Sequence, residues 1–196
     1  MKNLLKELRE LKKSPISKTV RARISEFKKK KSDKQLFSEL CFCIMTAGFN
    51  AKRSIEIQKK IGNGFLTLSE KNLQAKLKKS GYRYHNRAEY IVKNRKFLKE
   101  LKGKSREWLV KNIKGLGMKE ASHFLRNIGK KDMAIIDFHI IDVLAKYKLI
   151  KRPKTLTKVK YIEIEKVLEQ LAKRAALTLD ELDLYLWYLE TGKILK

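Results

Sequence analysis

Ile113-Lys114-Gly115-Leu116-Gly117-Met118-Lys119-Glu120-Ala121-Ser122 places a Gly-x-Gly turn between two helical patterns, and it decides the fold. Before it, Ser105 can cap a short helix carrying Trp108, Leu109 and Ile113. After it, Ala121, Phe124, Leu125 and Ile128 recur at helical spacing as far as Gly129. Two helices joined in this way form a helix-hairpin-helix. Glycine suits the turn because it bends tightly and lets backbone N–H groups approach an anion. The second helix adds its own N-terminal amides and dipole. Gly115 and Gly117 are therefore candidate contacts to a nucleic-acid backbone, although a Gly-x-Gly corner can also be an ordinary helical bend.

The rest of the chain is helical by the same criterion. Leu4, Leu5, Leu8 and Leu11 form one stripe, closed by Ser14-Pro15. Val20, Ile24 and Phe27 form a second, ending in the run Lys28 to Lys31, where cations suit the helix dipole. Ser32 or Asp33 can cap an apolar core helix through Leu36, Phe37, Leu40, Ile44 and Met45. A helix over Ile55 to Ile61 stops at Gly62-Asn63-Gly64, and Ser69 opens another that ends before Gly81. The pattern continues from about Asn86 to Leu101. Asp137 precedes a further helix with Ile140, Ile141 and Leu144, and two long helices follow, the last opened by Thr178-x-x-Glu181 and ended by Gly192. No segment alternates at period two, so the expectation is an all-α protein of about ten helices.

Composition narrows the function classes. The chain has 196 residues, and 48 Lys+Arg against 21 Asp+Glu give a net charge of +27. A hydrophobic share of 43% is too high for disorder despite that charge. No apolar run is long enough to span a bilayer, and Met1-Lys2-Asn3-Leu4-Leu5-Lys6-Glu7 lacks the apolar core of a signal peptide. A polyanion is the partner this charge favours, because each cation seated on a phosphate releases a counterion. An anionic membrane or a ribosome-like assembly would also attract it, and many of the lysines are simply solvated helix faces. Cys41 and Cys43 suit neither a zinc site nor a Cys-x-x-Cys pair and read as buried thiols in a reducing compartment. Cytoplasmic location follows.

Two residues carry the chemistry. Lys119 follows the second glycine on the first turn of the second helix, and Asp137 stands beyond a loop containing Gly129. Alone, the first reads as a solvated lysine and the second as a plain N-cap. Together with the hairpin they resemble the helix-hairpin-helix-Gly/Pro-Asp DNA glycosylase superfamily. That resemblance implies a nucleophilic lysine at Lys119 and an essential aspartate at Asp137. The chemistry suits such a pair: a carboxylate stabilises positive charge developing on deoxyribose, and a neutral amine can attack C1′ and form a Schiff base. Partial burial and cations such as Lys111 or Lys114 can help to keep the amine neutral.

Other segments extend the resemblance. Ser80-Gly81-Tyr82-Arg83-Tyr84-His85-Asn86-Arg87 is similar to the superfamily's minor-groove loop, with Tyr82 as a wedge and Arg83 reading the orphaned base. Thr46-Ala47-Gly48-Phe49-Asn50 looks like a second loop filling the vacated space, with Phe49 toward the base and Asn50 toward DNA. His139, within the Asp137 segment, is a further expected DNA contact. No cysteine follows Cys43, so the four-cysteine iron–sulfur cluster of the endonuclease III branch has no ligands in this sequence. The segment that precedes the core in the eukaryotic 8-oxoguanine enzymes has no counterpart either, since the first helix starts at once. What remains resembles the compact 8-oxoguanine DNA glycosylase/lyases of archaea and bacteria. These imply a base pocket completed by Trp187 and by the carboxylate of Lys196. They also imply two helical lobes, a six-helix lobe over 33–131 and a second from 1–32 plus 132–196, with the active site in the cleft between them. The implied partner is duplex DNA containing 8-oxoguanine, acted on by a nucleoid-associated monomer without metal or cofactor. An enzyme for another oxidised base, such as a pyrimidine, and a non-catalytic DNA-binding hairpin protein are the alternatives.

Overall fold

Side-chain caps set most of the helix starts. The computed structural model describes all of residues 1–196, and it contains twelve α-helices, two single 3-10 turns and no strand. In chain order the helices are α1 (Lys2–Lys13), α2 (Ile16–Lys28), α3 (Asp33–Thr46), α4 (Ala51–Ile61), α5 (Gly64–Thr67) and α6 (Glu70–Lys79). They continue as α7 (Ala88–Asn94), α8 (Arg106–Asn112), α9 (Met118–Asn127), α10 (Phe138–Lys146), α11 (Lys158–Ala175) and α12 (Leu179–Thr191). Ser32 with Gln35, and Thr178 with Glu181, form reciprocal capping boxes at α3 and α12. Ser69 and Ser105 accept the backbone N–H of Asn72 and Trp108 at the starts of α6 and α8. Gly192 ends α12 in the left-handed conformation, at φ +67°.

The helices depart from the sequence expectation in two places. Gly62-Asn63-Gly64 does stop α4, but four residues then form the extra turn α5. The long helix expected from Asn86 to Leu101 is broken into α7 and 3-10 turns at His85–Arg87 and Arg95–Phe97. Asn94 sits at that break, buried, with its side chain donating to the Lys114 carbonyl (2.9 Å) and accepting the Lys114 N–H (3.0 Å). Arg95 follows it and donates to the carbonyls of Phe65 (2.8 Å) and Leu68 (2.6 Å). The break therefore braces the hairpin turn and the end of α5.

The chain gathers into two compact units, Met1–Lys29 with Leu125–Lys196, and Lys30–Phe124. The sequence division at 33–131 lies after α9, whereas this one falls inside it. The last turn of α9 belongs with the chain ends because Arg126 is buried there. Its guanidinium pairs with Asp183 of α12 (3.3 Å) and lies over the Phe27 ring of α2 (4.5 Å). In that unit α10 packs on α12, α12 on α2, and α1 on α11. Lys12 also donates to the carbonyls of Ala175 and Ala176, which α11 leaves unpaired. In the other unit α3 is the central element: every residue from Leu40 to Thr46 is buried, including the free thiols Cys41 and Cys43. Burial pushes the Cys41 thiol well above its ordinary range. No helix is long and apolar enough to cross a membrane.

Candidate active site

The hairpin is held from below. Gly115 has φ +90°, and a Cβ built there would lie 2.7 Å from Cδ2 of Tyr90, on α7. Only glycine fits both the conformation and the space. Gly117 is not left-handed; a Cβ there would instead approach a carboxylate oxygen of Glu120 at 3.2 Å. The Gly117 N–H donates to that oxygen, Oε2, at 3.3 Å. Lys119 lies between the two, its side chain 20% exposed and its Nζ 3.7 Å from Oε1 of Glu120. Lys114, expected to act on Lys119 as a neighbouring cation, is instead committed to Glu89 (2.8 Å), which Lys93 pairs as well. These lysines hold the Glu89 carboxyl down to about 2. Lys111 is exposed.

The two loops expected to meet DNA come together in this same unit. Arg87 donates to the carbonyls of Ile44 (2.8 Å) and Ala47 (2.7 Å) and to the Tyr82 hydroxyl (3.0 Å). Tyr82 is 1% exposed, its hydroxyl donates to the Met45 carbonyl (2.9 Å), and burial pushes it up to about 12. Its ring meets Phe49 edge-on at 4.7 Å. The tyrosine expected to protrude thus forms the buried joint between the loops. Arg83 is exposed, and the half-buried Tyr84 ring has the Arg83 and Arg87 guanidiniums each 4.6 Å from its centroid. Asn50 is exposed and caps α4, its side chain accepting the Arg53 N–H at 3.0 Å.

In the other unit, Asp137 caps α10. Its Oδ1 accepts the Ile140 N–H (3.1 Å), so α10 begins where the carboxylate stands. The extended residues before it are buried and held by α11. The Tyr161 hydroxyl donates to the Ala134 carbonyl (2.6 Å) and accepts the Ile136 N–H (3.3 Å), while Glu165 accepts the Ala134 N–H (3.3 Å). Beyond Asp137, Phe138 is 60% exposed and lies 4.1 Å from His139, which meets Trp187 edge-on at 4.6 Å. The indole N–H of Trp187 is buried without a partner, and Lys196 is half-buried.

Sequence reasoning passed over Tyr90, Asn94, Arg87, Glu120, Tyr161, Glu165 and Phe138. Only Glu120 carried a readable signal: it lies three residues after Gly117, the offset at which an acidic side chain reaches back to a helix's first N–H.

The family model for 8-oxoguanine DNA glycosylase matches residues 20–177. This chain belongs to that family. An 8-oxoguanine DNA glycosylase/AP lyase of Korarchaeum cryptofilum is 47% identical over 99% of this chain and 98% of its own length. The Methanocaldococcus jannaschii 8-oxoguanine glycosylase/lyase, in complex with a 15mer DNA containing 8-oxoguanine, superposes with TM-score 0.95 at 51% identity. That match covers 98% of this chain and 99% of the other. The Thermotoga maritima 8-oxoguanine DNA glycosylase gives TM-score 0.94 at 42% identity over 100% and 99% of the two chains.

Proposed function

We propose that this member of the family excises 8-oxoguanine from duplex DNA and then cleaves the strand through a Schiff base on Lys119. The observation that carries the reading is a single, partly buried lysine on the first turn behind the hairpin amides, with full-length relatives named for this activity. The hairpin amides take a backbone phosphate and so fix the register of the nucleotide beside Lys119. The neutral amine attacks C1′, and the base departs with the bonding electrons and takes up a proton from the amine. The nitrogen lone pair then opens the C1′–O4′ bond, O4′ is protonated, and the resulting imine permits β-elimination of the 3′ phosphate. The Asp137 carboxylate stabilises the positive charge that builds on the sugar. No metal or cofactor enters these steps.

The remaining residues divide the work. Arg83 and Tyr84 enter the groove at the flipped nucleotide, in place of the buried Tyr82, while Asn50 contacts the DNA from the adjoining loop. His139 contacts the backbone. Phe49, Trp187 and Lys196 each serve in recognising the base, and the enzyme acts as a monomer on cytoplasmic, nucleoid DNA.

Borohydride trapping on duplexes carrying 8-oxoguanine, an abasic site or an oxidised pyrimidine tests the reading. A covalent adduct is expected with the first two and is abolished by Lys119→Gln. No adduct on either would overturn the assignment. Trapping on the pyrimidine as strong as on 8-oxoguanine would move the substrate class to the alternative.

A further inference from the structure

Phe138 is the one aromatic side chain in the protein that stands exposed, at 60%. It follows the Asp137 cap directly and opens the first turn of α10. Ring contacts run from Phe138 through His139, 4.1 Å away, to Trp187, a further 4.6 Å. The fold itself does not call for the outermost ring. Asp137 supplies the cap, and Ile140, Ile141, Val143 and Leu144 form the buried face that anchors α10. A polar side chain would fill the first helical position without leaving an apolar ring in water.

The row of rings also sets what each end can touch. Trp187 is the end proposed to meet the base, and the His139 ring stands between it and Phe138. Phe138 carries no polar side-chain group, so its ring cannot take a phosphate through a hydrogen bond or a charge. What it offers is a flat hydrocarbon face, one residue from the carboxylate proposed to act at deoxyribose. The carbon face of that sugar matches it in chemistry. Flipping a nucleotide turns its sugar out of the helix and opens that face to contact.

We propose that Phe138 packs its ring against the deoxyribose of the flipped nucleotide and so holds C1′ beside Asp137. The inference rests on the function proposed above, in which Asp137 acts at that sugar. The contact supplies affinity that depends on neither the backbone charge nor the identity of the base. Only an extrahelical nucleotide offers it, so undamaged stacked DNA gains nothing from the ring.

Fluorescence anisotropy in the Lys119→Gln background tests this on three duplexes, which carry 8-oxoguanine, a tetrahydrofuran abasic analogue or an undamaged guanine. Adding Phe138→Ala should weaken binding to the first two by the same factor, on the order of tenfold for one ring face buried. Binding to the undamaged duplex should not change, and Phe138→Tyr, which keeps the ring, should bind all three as the parent does. An equal loss on all three duplexes would place the ring on unflipped DNA, and a loss confined to 8-oxoguanine would place it on the base. Either result, or no loss at all, overturns the proposal. Each comparison is a ratio between duplexes within one protein, so it holds even if a variant folds less well. Failure of the wild-type protein to trap on abasic duplex would instead remove the parent reading, which keeps the two failures distinct.

Discussion

At Gly115 one absent methyl group sets the geometry of the hairpin. Its φ of +90° is unfavourable for any residue with a Cβ, and the Tyr90 ring fills the space where that Cβ would go. The Lys114 ammonium lies 5.0 Å from the same ring, so a displaced Tyr90 also disturbs the Lys114–Glu89 pair. Gly115→Ala should therefore destabilise the protein by about 1–3 kcal/mol in chemical denaturation. It should also weaken duplex binding, because the N–H groups of the turn move. Adding Tyr90→Ala should restore the steric part and leave the conformational part, a separation that a double-mutant cycle measures. Wild-type stability for Gly115→Ala alone would show that the turn is looser than its contacts imply. The Gly-x-Gly pattern is plain in the sequence, but the separate reason for each glycine is not: Tyr90 comes from another helix.

At α10 the side chain that caps the helix is also the one proposed to act in the chemistry. Asp137 starts the helix, and Tyr161 and Glu165 of α11 fix the extended residues that lead to it. Its two roles separate because asparagine can cap a helix but carries no charge. Asp137→Asn should stay within about 0.5 kcal/mol of wild-type stability, while Asp137→Ala should lose about 1 kcal/mol. Both should lose base excision by about a hundredfold or more in single-turnover assays. Wild-type excision by the asparagine variant would reduce Asp137 to a cap. Starts and stops of this kind are legible because they are local: Ser32, Ser69, Ser105, Thr178 and Gly192 all act within one turn of themselves. The break at Asn94 and the burial of Tyr82 are not, since each depends on backbone groups contributed by a remote element. A Gly-Tyr-Arg stretch shows which side chains a loop owns, but not which of them turns inward.

Across the whole molecule, the 48 basic side chains are only partly available to DNA. Arg87, Arg95 and Lys12 are spent on backbone carbonyls, Arg126 on Asp183, and Lys93 and Lys114 on Glu89. The cations left on the surface attract any duplex, damaged or not, because phosphates carry no record of the lesion. Discrimination must then come from contacts to the base itself, where Trp187 is the proposed anchor and its buried indole N–H is unpaired. These two sources of affinity respond differently to salt. With Lys119→Gln, which binds without turnover, fluorescence anisotropy should show a steep fall in affinity as salt rises, with about −0.9 in log–log slope for each phosphate contacted. Six contacts would cost roughly a thousandfold between about 50 and 200 mM salt. The ratio of affinities for 8-oxoguanine and guanine duplexes should change far less over that range, and Trp187→Ala should lower the ratio while leaving the slope intact. A ratio that collapsed in parallel with affinity would place discrimination in the charge and not in the pocket.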